Sequence, residues 1–312
     1  MTKPVYSMAQ ASRSSRKRKM PALWRYREDY LFMLPYLILF VLFTVVPVIA
    51  SVGLSMTYFN VLESPRFIGL DNYLRLFLDD TLFVKALMNT LILSVITGPV
   101  GFLLCFIMAW VLNELPARIR AVLTLMLYAP SISGNVYLIW TIIYSGDSYG
   151  LLNAILMNLN ILYEPKQWLT DSSLMLPAAI VVILWMSLGT SFLSFIAGFQ
   201  NVDTKLYEAA AVDGIRNRWQ ELWYITLPAM KPQLLFGAVM SITTSFGVGD
   251  VITALFGFPS TNYTLHTMVH HLQDYGNVRF EMGYASAIAT VLFGIMVGAN
   301  AVIQKLLRKI GD

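Results

Sequence analysis

Charge is what this sequence has least of. Asp, Glu, Lys and Arg make up 13% of its 312 residues, against 57% for hydrophobic types. A soluble domain carries roughly 25% charged residues, so a water-soluble globule is excluded. Disorder is excluded as well, because disordered chains are rich in charge and poor in aromatics, and aromatics here reach 13%. The single cysteine, Cys105, has no internal disulfide partner. Set in an apolar run, it reads as a small buried hydrophobe. There is no G-x-x-x-x-G-K-[ST] phosphate loop, so the chain supplies no such ATPase of its own. No clustered set of titratable groups suggests an active site, which argues against an enzyme, and nothing calls for a cofactor. Mean hydropathy is +0.62, and the composition points to an all-α integral membrane protein.

A membrane helix needs roughly 20 mostly apolar residues. Charge-poor windows of that size predict six spans, at 31–56, 86–113, 121–146, 172–202, 233–257 and 282–304. The uncharged stretch 148–163 is shorter and carries Asn153, Asn158 and Asn160, so it reads as an interfacial or re-entrant helix. Asp250 is the one ionisable residue inside a predicted span, and no Lys or Arg falls within any of them. Basic residues collect on alternate sides. The N-terminal segment has Lys3, Arg13, Arg16, Lys17, Arg18, Lys19, Arg25 and Arg27, and the loop after the second span has Arg118 and Arg120. Lys205, Arg216, Arg218 and Lys231 follow the fourth span, and Lys305, Arg308 and Lys309 follow the sixth. The other loops hold only Arg66, Arg75, Lys85, Lys166 and Arg279. The positive-inside rule therefore places both termini in the cytoplasm. So placed, the basic cluster at 13–19 reads as a topology and anionic-lipid signal rather than a nucleic-acid site. The first span is too long for a signal-peptide apolar region and reads as an uncleaved anchor. Pro35, Pro47, Pro99 and Pro130 fall in the first three spans, where proline can kink a helix. The chain divides into a basic segment (1–30), a first span with its outer loop (31–85), a main membrane domain (86–304) containing a cytoplasmic loop at 203–232, and a tail (305–312).

That cytoplasmic loop contains Glu208-Ala209-Ala210-Ala211-Val212-Asp213-Gly214. It reads as two short helices. The first has Asp203 or Thr204 as N-cap and stops at Gly214, which suits the left-handed position after a helix end. The second opens at Asn217 with Gln220 three residues on, a variant of the capping box. It puts Trp219, Leu222 and Trp223 on one face, and Pro228 and Pro232 mark its end. The alanines remove side-chain bulk, so that another protein could approach the backbone closely. Composition leaves two readings open: a short helix docked in a partner's groove, or a surface helix lying on lipid headgroups.

This stretch resembles the EAA loop of inner-membrane permeases of binding-protein-dependent ABC importers. The family pattern is Glu-Ala-Ala, three residues, Gly, nine residues, Ile, one residue, Leu-Pro. Here Glu208-Ala209-Ala210 and Gly214 are followed by Ile225-Thr226-Leu227-Pro228, with ten residues between Gly214 and Ile225, one more than the pattern. Other segments look like the sugar-permease branch, related to maltose and glycerol-phosphate permeases. They are Phe67-Ile68-Gly69-Leu70-Asp71-Asn72-Tyr73, Asn89-Thr90, Phe246 to Asp250, and Met282-Gly283-Tyr284-Ala285-Ser286-Ala287. The resemblance covers nearly the whole chain after residue 28. It implies a type I ABC importer permease fold of six transmembrane helices in a bacterial inner membrane. It further implies that Glu208, Ala209, Ala210, Asp213 and Gly214 form a coupling surface for a separate cytoplasmic ATP-binding subunit. The partners it implies are that ATPase, a second related permease and an extracytoplasmic solute-binding protein, within membrane lipid.

For a sugar, Trp140, Trp185 and Phe246 are candidates for stacking on the rings, although each is also a candidate for packing or interface anchoring. Asp250 follows Thr243, Thr244, Ser245, Gly247 and Gly249. It reads as a pathway-lining or gating residue, or as an interhelical or interfacial charge. His266, His270 and His271 form H-x-x-x-H-H in the outer loop before the sixth span. Without a Glu after the first or a nearby Cys, they read as part of a solvated or docking loop, and no metal is expected. The competing class is a self-contained ion-coupled secondary transporter. Such proteins often show paired repeats and several intramembrane ionisable residues, whereas this chain shows no repeat and one such residue.

Overall fold

The computed structural model describes residues 27–308. The expectations for the basic residues from Lys3 to Arg25 and for Lys309 lie outside the described residues. The chain divides into two units, one ending at Ala50 and the other beginning at Ser51. The described part of the first, residues 27–50, is helical and holds most of α1 (Tyr30–Leu54), the first predicted span. Pro35 lies inside the helix, and the rings of Tyr36 and Phe40 stack one turn apart, 6.1 Å between centroids.

The second unit opens with a two-stranded antiparallel hairpin, β1 (Thr57–Tyr58) and β2 (Arg66–Phe67), pairing Thr57 with Phe67. α2 (Thr81–Asn113) is 33 residues long. At 1.5 Å per residue it measures about 50 Å, longer than the hydrocarbon it would cross. It begins five residues before the predicted window because Asp80 caps it, its side chain accepting the Phe83 amide at 2.9 Å. That start corrects one expectation: Lys85 falls within the span's opening turns. Its ammonium donates to the Asn262 carbonyl at 2.7 Å.

Two predicted spans bend by more than 40° at a break. The third is α3 (Ala117–Ile132) followed, across a 90° bend, by a helical segment Val136–Ile143. Pro130 weakens the end of α3 by removing an amide donor, and Ser133 leaves helical geometry (φ −88°, ψ 98°) before Gly134 and Asn135. The fourth is α5 (Met175–Met186) and α6 (Thr190–Asn201), bent by 42° at Ser187-Leu188-Gly189. Between these spans lies α4 (Leu151–Asn158), the short helix expected within 148–163. Its fully buried Asn153 organises the surrounding loop. The amide nitrogen donates to the carbonyls of Ser145, Asp147 and Lys166, and the amide oxygen accepts from the Lys166 amide and the Trp168 indole.

The loop at 203–232 carries α7 (Thr204–Val212) and α8 (Arg218–Glu221). The fifth span is α9 (Lys231–Phe246) and α10 (Asp250–Phe256), with Gly247-Val248-Gly249 between them. α11 (Met268–Gln273) and α12 (Met282–Leu307) complete the unit. Among the described residues four helices are long and apolar enough to cross a membrane, and six if each bent pair is one span. This is the expected all-α membrane architecture.

Buried side chains gather in three clusters. The largest aromatic one sets Phe192, Phe195 and Phe199 of α6 against Cys105, Phe106 and Ala109 of α2, with Leu222, Met230 and Leu234. Phe195 meets Phe102 and Phe106 edge-on at 5.3 and 5.7 Å, the geometry that aromatic quadrupoles favour. Met175, Ala179 and Val182 of α5 pack with Ile252, Leu255 and Leu265. Leu76 and Phe83 pack with Met268, Tyr275, Tyr284 and Ile288.

Candidate functional site

The two breaks that end α5 and α9 open onto one cleft. It encloses about 320 Å³ and is walled by α2, α3, the α5–α6 break and the α9–α10 break. Its lining is rich in hydroxyls: Thr97, Tyr128, Ser131, Ser187, Thr190, Ser191, Ser241, Thr244 and Ser245, with Asp250 at one side. Most of these hydroxyl protons are committed to backbone. Thr97 donates to the Leu93 carbonyl (2.8 Å), Ser187 to Leu184 (2.7 Å) and Ser245 to Ile242 (2.9 Å). Ser241 crosses to the Gly98 carbonyl (2.7 Å) and Ser191 to the Gly237 carbonyl (3.1 Å), tying α9 to α2 and α6. A hydroxyl whose proton is engaged still offers oxygen lone pairs. The cleft therefore presents hydroxyl acceptors within a larger apolar lining, suited to a solute that carries both O–H donors and apolar faces.

The structure separates the residues singled out from sequence. Asp250 stands exposed at the first residue of α10 and lines the cleft. Thr243 is exposed, and its hydroxyl donates to the Val239 carbonyl at 2.9 Å. Phe246 is buried beside the cleft, in an apolar groove of about 410 Å³ shared with Pro99, Phe102 and Ile303. Trp140 and Trp185 meet edge-on at 5.8 Å, and Trp140 also contacts Tyr144 at 5.0 Å, in the cluster around α5. Sequence reading missed Tyr128, Ser131, Thr190 and Ser191. The available signal was the run Ser187-Leu188-Gly189-Thr190-Ser191, where hydroxyls flank a helix-breaking glycine.

The loop at 203–232 folds as its local chemistry dictates. Asp203 caps α7 by accepting the Lys205 amide at 3.0 Å. The helix ends with a bond from the Ile215 amide to the Ala210 carbonyl (3.0 Å) and one from Gly214 to Ala211 (3.4 Å), the pair that defines a Schellman end. Gly214 has φ +94°, as that motif requires. Glu208, Ala209, Asp213 and Gly214 are exposed, and Ala210 turns inward. Asn217 accepts the Gln220 amide (2.8 Å), while Gln220 returns a side-chain acceptor to the Arg216 amide (3.1 Å) rather than to that of Asn217. Leu222 is buried against α2, whereas Trp219 and Trp223 stay largely exposed, so the expected apolar face is only partly covered. The Tyr207 and Thr226 hydroxyls, 2.9 Å apart, join the loop's two halves.

At the other end of α2 the three histidines are buried, with at most 2% exposure, where a solvated loop was expected. The reason is Asp80. Its Oδ2 accepts from His271 Nε2 (3.0 Å) and the Tyr284 hydroxyl (2.8 Å), so it draws the histidine segment onto the start of α2 and α12. With His271 donating to Asp80, its Nδ1 accepts from His266 Nε2 (3.2 Å). His270 Nδ1 accepts from the Thr267 amide (3.2 Å), and its Nε2 faces the Thr253 hydroxyl (3.1 Å). Burial lowers the pKa of all three, that of His266 to about 3 with further lowering from the charges of His271 and His270. Burial raises that of Asp80, but its hydrogen bonds from Phe83, Tyr284 and His271 outweigh this and leave it lowered. Among the described residues no group of three His, Cys, Asp or Glu side chains could hold a metal ion.

Comparison with known proteins bears on the same segments. Residues 20–311 match the family of binding-protein-dependent transport system inner membrane components. The chain is 32% identical over 280 residues to the probable ABC transporter permease protein YesP of Bacillus subtilis (strain 168), covering 88% of each chain. It is 29% identical over 308 residues to the lactose transport system permease protein LacF of Rhizobium radiobacter, covering 95% of this chain and 97% of that one. Among solved structures it resembles a chain of a bacterial ABC transporter involved in import of the acidic polysaccharide alginate. The TM-score is 0.72 at 26% identity, over 93% of this chain and 98% of that one.

Proposed function

The chain belongs to the binding-protein-dependent transport system inner membrane components, and on that premise we propose that it forms half of the translocation pathway of an ATP-driven carbohydrate importer. It is a multi-pass ABC transporter permease of the bacterial inner membrane. The hydroxyl-lined cleft is the observation that carries the substrate class. Its acceptors match the O–H donors of a sugar, and relatives named for lactose, arabinooligosaccharides and sulfoquinovosyl glycerol support the same choice.

The motor is proposed to be a separate cytoplasmic ATP-binding subunit seated on α7, with Glu208, Ala209, Ala210, Asp213 and Gly214 as the coupling surface. The exposure of α7 supports this: four of those five residues are open to solvent. Alternating access needs two halves that rock about a central site, so the cleft works opposite a second, related permease. An extracytoplasmic solute-binding protein delivers the sugar. A relative in this fold is known from a complex with an alginate pentasaccharide-bound periplasmic protein. Asp250 and Thr244 line the sugar's path. Phe246, Thr243, Trp140 and Trp185 shape it from adjoining packing. Both termini lie in the cytoplasm, on the side of α7.

The test uses the assembled importer in proteoliposomes. Glu208→Lys is expected to insert and fold as the parent does, yet to lose import while ATP hydrolysis continues. Import at the parent rate would overturn the coupling assignment. Uptake that persists in cells after ATP is exhausted, with ion gradients maintained, would replace the importer with an ion-coupled carrier.

A further inference from the structure

The coupling loop divides into an exposed half and an anchored half, and the anchor is electrostatic as well as apolar. Glu114 is the C-cap residue of α2. A carboxylate there is disfavoured, because a helix C-terminus already carries partial negative charge. Arg218, the first residue of α8, supplies the missing cation. Its guanidinium lies 3.1 Å from Glu114 and 3.0 Å from Glu221, bridging the end of α2 and its own helix. Four residues before Glu114, Trp110 meets Trp219 at 5.0 Å between ring centroids, inclined by 61°. Leu222 is buried in the cluster that includes Phe106, Ala109 and Leu112 of α2. Three contacts thus fasten α8 to the last turns of one membrane helix. A polar cavity of about 510 Å³, bordered by Asn113, Arg120 and Tyr207, lies against them.

We propose that Glu114 and Arg218 are positioning residues that form the joint through which movement of the coupling loop reaches α2. The inference rests on the coupling role proposed for α7 and extends it to a route. α7 takes the push, the turn at Gly214 passes it to α8, and the Arg218 bridge passes it to α2. Nine residues further into the membrane, about 14 Å along the helix, Cys105 already borders the sugar cleft, and Thr97 lines it too. The joint therefore acts on the cleft wall through a single continuous helix. Exposed ion pairs add little to stability, so the value of this one lies in holding α8 in register on α2.

The experiment is a charge swap in the assembled importer, with its binding protein, reading sugar imported per ATP hydrolysed. Glu114→Arg and Arg218→Glu alone are each expected to lower that ratio by about fivefold, the upper range for an exposed pair, while the ATPase subunit still co-purifies. The double swap is expected to restore part of it, because the carboxylate placed at position 218 also faces Glu221, and Glu114→Gln to fall between. An unchanged ratio in both single variants, with Glu208→Lys still uncoupling, overturns the joint and leaves the coupling loop standing. An unchanged ratio in all three overturns both. Single defects that the swap fails to rescue, or a lost ATPase subunit, also overturn the joint.

Discussion

At the scale of single residues, burial and hydrogen bonding decide what the three histidines are. Their neutral forms fit one proton arrangement: His266 donates to His271, and His271 donates to Asp80. An added proton has no good place, because His266 Nδ1 is buried without a partner among the described residues. Asp80, Asp274 and Arg279 face His271, Lys85 acts on His266, and Asp250 acts on His270. Burial nonetheless lowers all three histidines below the ordinary value of about 6.5. Below that pH the unfolded chain binds more protons than the folded one. The cluster's contribution is therefore complete above about pH 6.5 and is lost as pH falls toward the folded-state values. The melting midpoint of the detergent-solubilised protein is expected to drop between about pH 7 and pH 5. His266→Gln keeps a donor toward His271 and removes one titrating group, so its midpoint should drop less steeply. Equal slopes would show that the acid sensitivity arises elsewhere. None of this was legible in H-x-x-x-H-H, because the acceptor that organises it is Asp80, 191 residues away from His271.

At the scale of elements, the extra residue between Gly214 and Ile225 has a visible home. Leu222 to Thr226 form one wide turn in which the Leu227 amide bonds back five residues to the Leu222 carbonyl. Such a π-turn is a one-residue insertion in an α-helix. Leu222 stays in the core and Leu227 packs against it, while the surplus is taken up where Trp223 and Tyr224 are exposed. Deleting Tyr224 should return the turn to α-helical spacing and leave the melting midpoint nearly unchanged. Inserting an alanine after Tyr224 should lower it clearly, since no slack remains. Equal losses in the two variants would argue against this account. The loop was readable in sequence because caps and glycine stops act over three to five residues. The spans were readable in number, because charge exclusion depends on composition alone. Their bends were not. A hydrophobic count is blind to direction, so the 90° turn after Ile132 and the 42° turn after Met186 escaped it, although Ser133-Gly134-Asn135 and Ser187-Leu188-Gly189 stood in the sequence. The start of α2 escaped because Lys85 was treated as a boundary. A lysine near a helix end can instead extend its ammonium to a polar partner, here the Asn262 carbonyl.

At the scale of the whole molecule, the breaks and the cleft are one feature. Continuous helices would satisfy their own backbones and present only side chains. Breaking two spans at glycines turns hydroxyl-bearing residues toward a shared space, and irregular backbone is tolerated at membrane depth where it lines a cavity. The wall is built from four spans of one chain, and the same α2 that borders the cleft ends at the Glu114–Arg218 pair. Filling the cleft should therefore separate passage of solute from operation of the motor. Thr244 lines the cleft from α9, and its hydroxyl bonds only to carbonyls one turn back in its own helix, Met240 and Ser241 at 3.0 Å. Its replacement leaves no partner helix unpaired. Thr244→Trp is expected to cut import by about tenfold, equivalent to roughly 1.4 kcal/mol on the barrier. The ATPase subunit should remain bound, and hydrolysis should stay within about twofold of the parent. A tryptophan that leaves import untouched would place the sugar's path outside this cleft. One that stops hydrolysis as well would show that the cleft wall and the motor cannot be separated, and that α2 transmits in both directions.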